Sequence, residues 1–103
     1  MSTVQHIAIV DDGRLLVEAI VETLPDLVNA QLRVEAGPIP PGAASRLVDA
    51  VLALPDVPPD TPLEITFPTG EAEMLQQIKS RCSDVSTRAA GVSCRLHTTF
   101  PTA

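Results

Sequence analysis

His6-Ile7-Ala8-Ile9-Val10-Asp11-Asp12-Gly13, with the continuation Arg14-Leu15-Leu16-Val17-Glu18-Ala19-Ile20-Val21-Glu22-Thr23-Leu24, decides how this chain is read. Ile7 to Val10 are four consecutive apolar residues that stop on two acids and a glycine, the signature of a buried strand followed by a turn. That makes 6–10 the expected central strand. Asp-Gly between apolar runs also signals a hairpin. Against the hairpin, Leu16, Ala19, Ile20, Thr23 and Leu24 recur at helical spacing, while Arg14, Glu18 and Glu22 share the opposite face at i, i+4 steps. The periodicity predicts a helix over 14–24, with Asp11 or Asp12 near its N-terminus and Pro25 ending it. A second hairpin arm over the same residues stays open as the alternative.

Outward from this stretch the chain alternates. Gln31-Leu32-Arg33-Val34-Glu35-Ala36 has the period of two of a strand with one wet face. Gly37-Pro38-Ile39-Pro40-Pro41-Gly42 is a stiff connector. Residues 43–54 carry a broad apolar helical face (Leu47, Val48, Val51, Leu52, Leu54), closed by a cluster of prolines at 55, 58, 59 and 62. Leu63 to Phe67 alternates again. A third helix over 71–82 has Glu71 and Glu73 in its first turn and Lys79 and Arg81 in its last, as the helix dipole favours. Val92 to His97 is the last expected strand.

Three of these four strands show a polar face, whereas strands covered on both sides are near-continuously apolar. The expected fold is therefore α+β: a two-layer α/β sandwich of about four strands with three helices on one face. Residues 1–97 form one domain in this reading, and 98–103 a flexible tail.

Composition narrows the function classes. With 45% hydrophobic and 19% charged residues in 103, the chain is globular rather than disordered. A net charge of −6 with two Phe, no Trp and no Tyr argues against nucleic acid, which needs cationic surface and stacking platforms, and against anionic lipid. No apolar run is long enough to span a membrane, and the N-terminus lacks the pattern of a secretory signal, so the expected address is the cytoplasm. Cys82 and Cys94 are expected as free thiols at inward-facing positions.

The acids Asp11 and Asp12 lie where a strand ends, a position suited either to capping the next element or to Mg²⁺. His6 and His97 have no further ligands at zinc spacing. No Ser-His-Asp order with an elbow glycine appears, and Pro68-Thr69-Gly70-Glu71 is a poor phosphate cradle. No catalytic residue, metal or cofactor is therefore expected, and the chain is not expected to be an enzyme. The open sheet face is the expected contact surface, presenting Arg33, Glu64, Arg95 and His97, with Glu35, Thr66 and Ser93 beside them. The strand at 92–97 offers an edge for strand addition.

Two resemblances supply alternatives. Ile9-Val10-Asp11-Asp12 followed by an amphipathic helix is similar to the opening of response-regulator receiver domains, which implies Mg²⁺-binding acids. Leu63 to Gly70 then resembles the segment carrying that family's phosphoacceptor, with Glu64 in place of its aspartate. The crowding of Ser93, Cys94, Thr98, Thr99 and Thr102 resembles the core of ribosomally made peptides whose Ser and Thr are dehydrated and joined to Cys. The expectation drawn from all of this is a small non-catalytic interaction or accessory module that binds a protein partner or its own copy, not nucleic acid or membrane.

Overall fold

The computed structural model describes residues 3–55 and 57–101. Its elements run β1 (Thr3–Asp11), β2 (Arg14–Thr23), β3 (Val28–Val34), α1 (Ala43–Leu52), β4 (Pro62–Pro68), α2 (Ala72–Arg81), β5 (Ser86–Ala90) and β6 (Ser93–Thr99). The strands form one six-stranded mixed sheet in the order β1-β2-β3-β4-β6-β5. The expected sandwich of about four strands and three helices is thereby corrected: among the described residues the sheet has six strands and there are two helices.

The correction begins at the opening stretch, where 14–24 is the second arm of a hairpin and not a helix. Asp12 and Gly13 both have positive φ, 53° and 74°, as the two central residues of a type I′ turn require. Ile9 pairs with Val17 but Val10 pairs with Leu15, so Leu16 is an extra residue bulged into β2. The bulge puts Leu16 and Val17 both inside, at 2% and 0% exposure. Past it, Val17, Ala19 and Val21 alternate inward as strand residues do. Two adjacent buried residues broke the period of two in the sequence and let the helical spacing of Leu16, Ala19, Ile20 and Thr23 stand out. The β-branched Val17, Ile20, Val21 and Thr23 favour the extended form that wins.

The expected central strand is also corrected: β1 is a sheet edge, paired only with β2 and exposed along most of its length. Centrality belongs to β3 and β4, which run parallel, while the other neighbouring pairs are antiparallel. Strand β5 lies in what the sequence offered as a polar loop; each of its residues is exposed, so it leaves no hydrophobic trace.

One apolar core joins the inward residues of the strands to both helices. Val17, Val21, Ala30, Ile65, Phe67 and Leu96 meet Leu47, Val48 and Val51 of α1 and Met74 and Ile78 of α2 in a single buried cluster. The alternate positions of β3, β4 and β6 carry polar side chains on the sheet's other face, among them Asn29, Gln31, Arg33, Glu64, Thr66, Arg95 and His97. At about 25 cal/mol per Å² of apolar surface, each fully buried Leu, Ile, Val or Met contributes about 1.5–3 kcal/mol.

The expected tail at 98–103 is corrected over its first part. Thr98 and Thr99 complete β6, the Thr98 hydroxyl donates to the Ser83 carbonyl at 2.9 Å, and Phe100 is 3% exposed with its N–H donating to the Thr61 carbonyl at 2.9 Å. Thr102 and Ala103 lie outside the described residues.

Candidate functional site

The sheet's one parallel pair is also its shortest seam. β3 and β4 pair from Val28↔Leu63 to Gln31↔Thr66, four positions, and then part. Each strand continues, but tied only on its far side: β3 to β2 as far as Val34↔Val17, and β4 to β6 as far as Pro68↔Ser93. Beyond Gln31 and Thr66 their facing backbone edges have no ladder partner. Pro68 has no N–H to offer in any case, which ends donation along that edge.

A cleft of about 590 Å³ opens where they separate, lined by Glu18, Gln31, Arg33, Glu35, Thr66 and Ser93 among others. This is the carboxyl end of the parallel pair, where open α/β sheets place ligands. Glu18 is its most enclosed charged group. Its carboxylate accepts from His6 Nε2 at 2.8 Å and stands 3.9 Å from an Arg33 nitrogen, with only 14% of the side chain exposed.

The helices that follow the two parallel strands start at this same end. α1 begins after the left-handed Gly42, φ 92°, which supplies no capping side chain of its own. The cap comes instead from α2: the Glu73 carboxylate accepts from the N–H groups of Gly42 at 3.3 Å and Ser45 at 2.9 Å, and from the Ser45 hydroxyl at 3.1 Å. The Ser45 amide, ahead of burial, which acts the other way, holds Glu73 below the usual carboxylate range.

The four residues expected to make a contact surface divide into two groups. Glu64, Arg95 and His97 come together, with Arg95 Nε at 3.5 Å and His97 Nδ1 at 3.7 Å from the Glu64 oxygens. Arg33 belongs to the other group, beside Glu18 in the cleft. Asp11 and Asp12 sit at the tip of the β1–β2 hairpin rather than at the head of a helix, and among the described residues no cluster of three or more His, Cys, Asp or Glu could share a metal ion.

Cys82 is buried and Cys94 half-buried, both as free thiols. Burial pushes the Cys82 thiol up, against the smaller effects of Thr98 and the Arg81 charge. Sequence reasoning missed the cleft and the roles of Glu18 and Glu73. Its helical reading of 14–24 put Glu18 on the solvent side of a helix, and a cap donated across 28 residues leaves no local pattern.

Among the described residues no helix is long and apolar enough to cross a membrane. No family model and no curated protein matches this sequence. A crystal structure from Sphaerobacter thermophilus DSM 20745, provisionally named an acetyltransferase, has the same fold: TM-score 0.63 at 12% identity over 95% of this chain. The chain spans 64% of that structure's length.

The likeness corrects the expected function, since a fold shared with a provisionally named enzyme counts against a non-catalytic interaction module. The two alternatives fall with the fold. The segment after Asp12 is a strand and not the helix that a receiver needs, and Ser93, Cys94, Thr98 and Thr99 are rungs of β6 rather than a free modifiable peptide.

Proposed function

We propose that the cleft between β3 and β4 takes the extended arm of an activated acyl donor and passes its acyl group to an amine. The observation that carries this is the parting of the parallel pair after Gln31 and Thr66. An arm containing amides can pair with the free β3 edge at Leu32 to Val34 as an added strand would, its N–H and C=O groups replacing the missing rungs. Likeness to a provisionally named acetyltransferase supports the reaction class.

The chemistry asks for few groups. The amine nitrogen attacks the acyl carbonyl carbon, the carbon–sulfur bond of a thioester donor breaks, and the thiolate leaves and takes up a proton. An unpaired N–H on the β3 edge is placed to donate to the carbonyl oxygen as it becomes negative. Glu18 is the candidate base for the proton lost by the attacking nitrogen, with His6 fixing the carboxylate through its 2.8 Å hydrogen bond. Glu18 and Glu35 on the rim favour the approach of a cationic amine.

Titration of the chain with acetyl-pantetheine, following backbone amide resonances, tests the binding step. Shifts confined to Leu32–Val34, Phe67 and their neighbours are expected; their absence at millimolar donor overturns the proposal. Release of free thiol in the presence of a primary amine tests the chemistry, and it is expected to fall about 10²-fold or more in Glu18→Gln. Binding without amine-dependent thiol release overturns the catalytic part and leaves a donor-binding cleft.

A further inference from the structure

A strand at the edge of a sheet offers free backbone N–H and C=O groups to any other strand, and folded proteins guard such edges by keeping them short, charged or covered. The two edges of this sheet differ in that respect. β5 has five residues and sets Arg88 directly opposite Arg95 of β6. β1 has nine residues, Thr3 to Asp11, with no Lys, Arg or Pro and its one acid in the last position. Among the described residues nothing pairs with its outer side.

The extra residue of the hairpin is taken up by β2, so β1 keeps its own alternation. Ile7 and Ile9 are half-buried against the core, while Val4, His6, Ala8 and Val10 share the polar face, where His6 reaches Glu18. Val4 is 63% and Val10 56% exposed. Each stands three residues from Ile7, the midpoint of the strand.

We infer that two copies of this chain join through β1, antiparallel about a two-fold axis at Ile7, into one continuous sheet. With the axis at Ile7 the whole strand pairs, Thr3 of one copy opposite Asp11 of the other. The same register sets Val4 of each copy opposite Val10 of the other, so the strand's two exposed valines cover one another. His6 falls opposite Ala8, and no like charges meet along the ladder. Moving the axis by one residue shortens the ladder and separates the valines. No residue of β1 lines the cleft, so the inference stands apart from the donor proposal, and its failure leaves that proposal untouched.

Sedimentation equilibrium of the chain at submillimolar concentration is expected to give twice the chain mass. The mass of a single chain there overturns the inference. Two double variants test the register. Val4→Lys with Val10→Lys sets like charges opposite each other near both ends of the ladder. Val4→Lys with Val10→Glu removes the same apolar side chains but sets opposite charges there. Both positions are exposed, so both variants are expected to keep the wild-type circular dichroism spectrum. The like-charge variant is expected to have a dissociation constant at least about tenfold above that of the opposite-charge variant. Equal constants in the two variants overturn pairing about Ile7.

Discussion

The Glu73 carboxylate, in the first turn of α2, reaches across to the first turn of α1 and accepts from both the amide and the hydroxyl of Ser45, at 2.9 and 3.1 Å. One side chain therefore caps a helix to which it does not belong and pins the two helices together at the end of the sheet that carries the cleft. Asp49 ties the same helices further along, accepting from Gln77 and from Arg81, each at 2.7 Å.

Loss of this cap has a size and a pH dependence. Glu73→Ala is expected to cost about 1 kcal/mol, within the range of capping substitutions and kept modest by solvent screening. The folded-state pKa of Glu73 is lowered from 4.5, so its stabilisation is complete above the unfolded value and is lost as the pH falls through the lower folded one. Urea melts of wild type and Glu73→Ala should therefore differ most near neutral pH and converge in acid. A gap that widens on acidification would contradict the assigned direction.

The β1–β2 turn tests the conformational argument at Gly13, whose φ is 74° and around which nothing lies within 4 Å of an added Cβ. Gly13→Ala is expected to destabilise by about 1 kcal/mol through backbone strain alone, without a clash. The urea midpoint should drop with little change in slope. A neutral result would mean that the hairpin does not need the left-handed residue.

For Cys82 the expectation concerns rate. Burial raises the pKa of its thiol, so at pH 7 less of it is the reactive thiolate. In Cys94→Ser, iodoacetamide should label the remaining thiol far more slowly than a free cysteine, and labelling should accelerate with sub-denaturing urea as the helix end opens. Native-state labelling at the rate of a free thiol would show Cys82 to be accessible.

Where the pattern was local, the sequence disclosed the structure. Ala43–Leu52 and Ala72–Arg81 were visible from apolar stripes, and Leu63, Ile65 and Phe67 from strict alternation, because one element sets each pattern. The opening hairpin was hidden by a single inserted residue, Leu16, which shifts the phase of β2. β5 was hidden by its exposure, since a strand with no buried face has no period to detect. Strand order escaped for another reason. The apolar run Ile7–Val10 looked central, yet its burial depends on which strands flank it, and β1 has a neighbour on one side only. The cleft was out of reach because it is made by rungs that fail to form, and Glu18 could be placed in it only once 14–24 was known to be extended.

The short seam between β3 and β4 makes the molecule divisible. On one side stand β1, β2 and β3, with α1 packed on β1 and β2; on the other stand β4, β6 and β5, and α2 packs against α1. Across the seam run four backbone pairs, the shared core, and the polar ties of Glu73 and Asp49. The covalent link is the proline-studded connector between α1 and β4, whose described residues, 53–55 and 57–61, belong to no strand of the sheet. Each part is thus a three-stranded antiparallel unit, and the whole resembles a clasp whose two leaves meet along one short edge. Whatever lies in the mouth of the clasp touches both leaves, so occupancy of the cleft and cohesion of the fold are coupled by construction.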